Sequence, residues 1–467
     1  MASSKLSTAQ LQGNLRRFII FRLFYSARFY YPVFTVLFLD YGLTLEQFAI
    51  LNIVWALTIV LAEVPSGALA DIVGRKRLVV FAAIMMVVEM ALIAFAPIGA
   101  SPFLFPLFLA NRICSGLSEA AASGADEALA YDSLKALGRE DDWSKILQRT
   151  TQVVSFGFFM TMILGAFAYD PNTVNGLLSA IDSQWQLSNN LVIRLPVILT
   201  LMTSFIVLGT ALGFHDIDID IDIDIDIDIG EGESSDSLQL TGNSLLDPFR
   251  KIVVAAKWTI NHRFVLFVIL AALALDSVGR QFVVLASEYY RVIDIPVSWF
   301  GFIGAGMSLV GMVNAILSRY LVTNHSPLFN FLTLSFLLMT GLIGLGLAIP
   351  YYGVIFAVGA FAMMGMVQFQ SSYYINKEVD SVHRATVLSF KGLALNLGLG
   401  FASLLYTAYV SLLRAQQEGT VPEAAFRDAI FLDALRGFPI YFFALFLLVL
   451  LLGRALIKPL SAVLSRR

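Results

Sequence analysis

Cysteine is almost missing from this chain: Cys114 is the only one in 467 residues. A lone thiol excludes an intrachain disulfide and any cysteine-based metal cluster. No glycine loop followed by Lys and Ser or Thr is present to cradle phosphates, so ATP is not expected to supply energy. A metalloprotease HExxH and a nucleophile elbow GxSxG are missing as well, and the expectation is a chain that is not an enzyme and needs no cofactor. The polar stretch Met1–Asn14 lacks an apolar core followed by a small-residue cleavage site, so a removable signal peptide is not expected. Charge is scarce too. Only 14% of residues are charged, the formal net charge is −3, and no nucleic-acid partner is expected.

What fills the chain instead is apolar surface. With 58% hydrophobic and 13% aromatic residues and a mean hydropathy of +0.77, one soluble core cannot hide it, and most must face lipid. Runs of about 20 apolar residues, enough to cross a hydrocarbon core of roughly 30 Å, fall at 15–39, 46–70, 76–98, 104–131, 146–168 and 191–213 in the first half. The second half gives 263–290, 297–320, 328–349, 351–374, 385–412 and 433–456. Spans this long must be helices, because the bilayer offers no water to an unpaired backbone. The expected fold is an all-α polytopic membrane protein of twelve transmembrane helices. Lys and Arg resist translocation in short loops. If the N-terminus is cytoplasmic, the inner segments gather clusters such as Arg75, Lys76 and Arg77, whereas the outer ones hold only Arg194, Arg291, Arg414, Arg427 and Arg436. That asymmetry predicts a plasma (inner) membrane protein with both termini inside.

The break His215–His262 divides the spans into two sets of six. The expected plan is a tail at 1–14, a six-helix bundle at 15–213, a cytoplasmic linker at 214–262, a second bundle at 263–456 and a tail at 457–467. Inside the linker, Asp and Ile alternate from Asp216 to Ile229. Period-2 alternation is nominally a strand pattern, but seven aspartates on one face without cations opposite would repel one another. A solvated linker is expected, and a calcium loop is disfavoured because such loops use a glycine turn and mixed ligands. The stretch Asp247–Trp258, with Pro248 near its start and Arg250, Lys251 and Lys257 along it, suits an interfacial helix.

Between the second and third spans lies Gly67-Ala68-Leu69-Ala70-Asp71-Ile72-Val73-Gly74-Arg75-Lys76-Arg77. Its glycines permit a tight turn, Asp71 can accept from a helix N-terminus, and the cations can pair with nearby acids. Gly67, Leu69, Ala70, Asp71, Gly74, Arg75 and Lys76 resemble the loop between helices two and three of the major facilitator superfamily. The resemblance implies two six-helix bundles, with this loop latching their cytoplasmic side; the plain alternative is a set of topology signals. Glu63, two turns before Asp71, is a candidate latch partner for Lys391.

Span four carries Arg112, Ser115, Gly116, Glu119, Ser123 and Asp126 at three- and four-residue steps, one polar stripe that cannot face lipid cheaply. Arg112 and Gly116 also resemble the family's helix-four motif, whose arginine is associated with proton coupling, although Ser115 stands where a glutamine is usual. The alternative is an arginine fixed by Glu119 for packing. Asp126 is placed at the cytoplasmic end, near Arg75 and Lys76. Arg28 in span one, and Asp276 and Arg280 in span seven, sit at similar depth, and the resemblance puts both helices on a central cavity. Asp276 and Arg280, four apart, can instead neutralise each other.

The expectation is therefore a secondary active transporter, a monomer moving a small solute by alternating access with proton coupling. Arg28, Arg112, Glu119, Asp276 and Arg280 are the candidate substrate and coupling residues. Glu63, Gly67, Asp71, Gly74, Arg75, Lys76, Asp126 and Lys391 are the candidate gate. A slight excess of deep arginines hints at an anionic or zwitterionic solute. A drug-efflux proton antiporter and a non-transporting sensor or scaffold are the alternatives; the missing Gly-Pro element in span five counts against a standard multidrug exporter.

Overall fold

The computed structural model describes residues 6–181, 185–216, 253, 256–379, 381–417 and 423–456. All regular structure among them is helical. The first half comprises α1 (Thr8–Ser26), α2 (Phe34–Tyr41), α3 (Leu45–Val73), α4 (Arg75–Ala94), α5 (Leu104–Ala122), α6 (Ala125–Ala136), α7 (Trp143–Tyr169), the short α8 (Pro171–Ala180) and α9 (Asn189–Val192), and α10 (Leu195–Gly213). The second half comprises α11 (Arg263–Val292), α12 (Val297–Asn324), α13 (Pro327–Gly346), α14 (Val354–Glu378), α15 (Ser381–Gln417) and α16 (Glu423–Leu456). Ten helices among the described residues are long and apolar enough to cross a membrane, and the chain is a multi-pass membrane protein. The expected spans one and four are not among these ten; each is divided into two helical segments, α1 with α2 and α5 with α6. The 217–229 part of the Asp-Ile repeat lies outside the described residues, as does most of the expected interfacial helix; residues 256–261 are helical.

Three sequence expectations need correction. Span one is not one helix. It breaks after Ser26 at Ala27, whose φ and ψ are −80° and 71°, and resumes through a 3-10 turn, Tyr31–Val33, into α2. The freed backbone groups find side chains instead of a helical partner: Phe29 N–H donates to Thr200 Oγ1 of α10 at 3.0 Å, and the Tyr25 carbonyl accepts from Arg28 Nε at 3.3 Å. Without those partners a break in mid-membrane would cost several kcal/mol per unpaired group. Gly165 of α7 makes room for the bend, since a Cβ there would collide with the Phe29 carbonyl. Span four breaks as well, at Ser123 and at Gly124, whose φ of +76° suits glycine. The third correction concerns the supposed loop Gly67–Arg77. Residues 67–73 continue α3, and Gly74, at φ +99°, is the whole turn before α4 begins at Arg75.

The halves meet along two helix pairs, α3 against α15 and α7 against α12. Close approach there uses glycine again, with Gly301 of α12 lying on the Met162 backbone of α7. Among the described residues, the hydrogen bonds and ion pairs that join the halves cluster at the face away from the start of α1. Arg291 of α11 reaches Asp40 of α2 at 2.6 Å. Arg414 of α15 holds Glu46 of α3 through Nε at 2.6 Å and Nη2 at 2.9 Å. One turn deeper, Ser287 Oγ accepts from the Thr35 and Val36 N–H groups at 2.9 and 3.2 Å, and Thr35 Oγ1 donates to the Val284 carbonyl. The molecule is thus closed at that face.

Candidate functional site

Beneath this closure lies a cavity of about 310 Å³ between the halves. Its polar lining comes from Arg28 beside the first helix break and from Arg112, Ser115 and Glu119 of α5, with Asn52 of α3 and Ser287 of α11. Aromatic and apolar walls are supplied by Tyr30, Tyr31, Phe34, Trp55, Phe158 and Tyr290 among others. A few charged groups in an apolar chamber are the common composition of a small-molecule site.

The three charged lining residues have different surroundings. Arg28, 4% exposed, donates from Nη1 to Glu89 Oε2 of α4 at 2.9 Å, and Glu89 is fully buried. Tyr30 Oη donates to the other Glu89 oxygen at 3.4 Å, and the Arg28 guanidinium lies 5.4 Å from the Tyr25 ring centre. Arg112 is also buried but has no carboxylate. Its Nε donates to Asn111 Oδ1 at 3.0 Å, its guanidinium lies 5.2 and 5.1 Å from the Phe34 and Phe38 rings, and its Nη2 meets no hydrogen-bond partner. Asn111 is held in turn by donating Nδ2 to the Glu89 carbonyl at 2.8 Å. Glu119 is exposed to the cavity. The arginine is therefore not fixed by Glu119, the packing alternative raised from the sequence; two aromatic rings and an amide hold it.

Asp276 and Arg280, expected beside Arg28, are not among the residues lining this cavity. They pair with each other on α11, and the second half encloses them: Asp276 Oδ1 accepts from Gln368 Nε2 at 3.1 Å and Arg280 Nη1 donates to Asn396 Oδ1 at 2.9 Å. Helical spacing puts Arg280 on the same face as the lining residues Val284 and Ser287, one turn nearer the termini.

The expected gate residues lie near the termini face but are distributed within each half. Asp126 bonds Arg22 at 2.5 Å, with Glu127 beside it at 2.7 Å, and Arg75 pairs with Asp132. Lys391, expected to meet Glu63, donates instead to Ser372 Oγ of α14 at 2.9 Å. Glu63 is half-buried on α3, one turn from Ser66, whose hydroxyl donates to the Ala120 carbonyl at 2.8 Å and so ties α3 to α5. Gly67 and Asp71 belong to the last turns of α3, and Lys76 follows Arg75 in the first turn of α4. The Asp216 carboxylate lies against Gly74, at the N-terminus of α4, where the helix dipole favours an anion.

Sequence reasoning passed over Glu89 and the far-face cluster. Glu89 is the one charged residue in the apolar run of α4 that follows Arg75, Lys76 and Arg77, a signal in itself, because a carboxylate in such a span needs a partner. Glu288, fully buried, is bound by Arg291 at 2.5 Å with Arg427 at 3.5 Å. It was hidden because it lies at the end of a long span, where acids are unremarkable.

No protein-family model matches the chain, and no curated protein matches it significantly. Solved structures do. The nucleoside transporter NupG superposes with a TM-score of 0.67 over 94% of this chain and 98% of its own, at 10% identity. A bacterial homologue of the human lysosomal transporter Spinster, in an inward-facing and unoccupied conformation, gives 0.65 over 98% and 99%, at 16% identity. A D-xylose–proton symporter gives 0.54 over 94% and 97%, at 12% identity. At these identities the likeness is one of fold alone: an all-α, multi-pass membrane fold shared along nearly the whole chain.

Proposed function

We propose that this chain of major facilitator fold is a secondary active transporter that carries a small anionic or zwitterionic solute across the membrane by alternating access, coupled to protons. The observation that carries the reading is Arg112, a buried guanidinium on the cavity wall with one nitrogen unpartnered. A carboxylate or phosphate on the solute would complete it with a charge-assisted bond. Arg28, already neutralised by Glu89, supports the site without offering a second free cation.

Glu119 is the coupling group in this reading. It is the exposed acid of the same cavity, two helical turns from Arg112 on α5. As a carboxylate it competes for the field of Arg112; protonated, it leaves the cavity one charge more positive and ready for an anion. Proton and solute then bind together and cross together, a symport logic. Closure at the far face by Asp40–Arg291 and Glu46–Arg414 represents one of the two access states, and the opposite state requires those pairs to part.

The test is uptake into proteoliposomes under an imposed pH gradient, with a panel of carboxylates, amino acids, nucleosides and pentoses, the last two suggested by the structural neighbours. Arg112→Ala is expected to abolish uptake. Glu119→Gln is expected to lose gradient-driven accumulation while still exchanging labelled for unlabelled solute. Transport indifferent to the gradient, or Glu119→Gln that accumulates like wild type, would sink the coupling scheme.

A further inference from the structure

A second cavity, of about 400 Å³, lies outside the transport path between α11, α15 and α16, lined by Val278, Gln281, Ala402, Tyr406, Phe438 and Tyr441 among others. Its rim residues Leu405, Tyr409 and Ile440 are 39%, 40% and 74% exposed, and on membrane-spanning helices such apolar exposure faces lipid. The cavity is therefore reached sideways, from the bilayer.

Two features separate it from a packing defect. Gln281 and Tyr406 are buried, 3% and 4% exposed, yet Gln281 Nε2 and Tyr406 Oη meet no hydrogen-bond partner. The Gln281 amide is oriented, because its Oε1 accepts from Ser403 Oγ at 2.6 Å; what remains is an N–H donor. Leaving such a group unpaired in an apolar site costs about 1–3 kcal/mol. An occupant with an oxygen acceptor would recover that energy.

Depth decides between occupants. Gln281 is about 5 Å from the midpoint of α11 at 1.5 Å rise per residue. The ester carbonyls of a phospholipid sit at the edge of a core roughly 30 Å thick, about 15 Å from its centre. An acyl chain would fill the volume and leave both polar atoms unmet. Four aromatic rings line the cavity, and Tyr406 and Phe438 pack edge to face at 5.8 Å, a wall suited to a flat ring system.

We infer that this lateral cavity binds a bilayer-soluble, flat ring compound bearing a carbonyl oxygen, with Gln281 Nε2 donating to the carbonyl and Tyr406 Oη as a second partner. The probes are fluorenone and its carbonyl-free counterpart fluorene, measured by saturation binding to the protein in lipid nanodiscs with empty discs subtracted. Fluorenone is expected to bind about tenfold tighter than fluorene, and Gln281→Leu to erase that difference while leaving fluorene binding intact. Tyr406→Phe should reduce the preference severalfold and serves if Gln281→Leu does not fold. Arg112→Ala, in the central cavity, should change neither affinity. Equal binding of the two probes by wild type overturns the proposal, as does no binding above empty discs. Oleate displacing fluorenone equally from wild type and Gln281→Leu would assign the cavity to an acyl chain, and loss of binding in Arg112→Ala would assign the probe to the central cavity; either result also overturns it.

Discussion

Replacing Glu89 by leucine is the most demanding perturbation of the central site. Arg28 would keep only the Tyr25 carbonyl at 3.3 Å and the Tyr25 ring, with its guanidinium 4% exposed. Breaking a buried pair by removing one partner costs about 3–5 kcal/mol, because the other charge is left uncompensated. Against a total stability of about 5–15 kcal/mol, that is a large fraction. Removing both charges together, in Arg28→Leu with Glu89→Leu, is expected to restore most of the loss, since replacing a buried pair by apolar groups is often neutral or better. The assay is the half-life of monodisperse protein in detergent at fixed elevated temperature, a kinetic measure appropriate to a membrane protein that unfolds irreversibly. If the loss falls on the unfolding barrier, Glu89→Leu shortens the half-life about 100-fold or more, and the double variant returns to within about tenfold of wild type. A double variant no better than the single one, or a single variant within threefold of wild type, would refute the argument that these two charges exist in this site only as a pair.

Other outcomes follow from the same geometry. Glu46→Gln should loosen the far face; the Arg414 pair is part-exposed, at 43% and 13%, so the effect is about 0.5–1 kcal/mol, a two- to fivefold shift in the ratio of closed to open forms. Spin labels at Phe103→Cys and Tyr352→Cys, in a Cys114→Ser background, would read it as a growing long-distance population; an unchanged distribution would contradict it. His215, just after α10, is held below its usual pKa by partial burial and by Arg17 and Lys76. Folding therefore favours its neutral form over its charged one. The contribution to stability is unaffected above the unfolded value of about 6.5 and becomes unfavourable as pH falls from there toward the lowered native value. Arg17→Gln should raise the midpoint of the His215 ring titration by NMR, and a midpoint at or above the ordinary histidine value in the unaltered protein would show the reading wrong.

Much of the helical plan was legible because a 20-residue apolar run admits almost one backbone solution in lipid. The breaks were not. Ser26-Ala27-Arg28-Phe29 holds no helix breaker, but Pro32 just after it, which lacks an N–H and disfavours helix before it, was a local mark that was passed over; what sustains the break is Thr200, 171 residues further on, which accepts the Phe29 N–H. A long-range partner of that kind leaves no local trace. The polar stripe of α5 was readable from spacing, and Arg112, Ser115 and Glu119 do line the cavity together. Equal depth of Arg28 and Asp276 was a weaker guide, because depth fixes height in the membrane and not the direction in which a helix turns its side chain. Asp276 turns toward Gln368 and away from the interface between halves.

That difference makes the halves chemically unequal. Among the described residues the two broken spans one and four both belong to the first half, and each carries one of the cavity's arginines: Arg28 stands two residues past Ser26, and Arg112 is on α5, which ends at Ala122 just before Gly124. A break frees backbone groups and lets a guanidinium leave the helical track, which is how Arg28 reaches Glu89 on a different helix. The corresponding crossing of the second half, α11, is unbroken over 30 residues, and its charges close on each other at i and i+4, the pairing a continuous helix makes easiest. Its contribution to the cavity is Val283, Val284, Ala286, Ser287 and Tyr290, a wall without charge. Solute charge would therefore be read by the first half and solute shape by both. Substitutions of charge should then abolish transport from α5, whereas substitutions of volume on α11, such as Ala286→Leu, should exclude the larger members of the solute panel and spare the smaller ones. Uniform loss across solute sizes in Ala286→Leu would contradict this division.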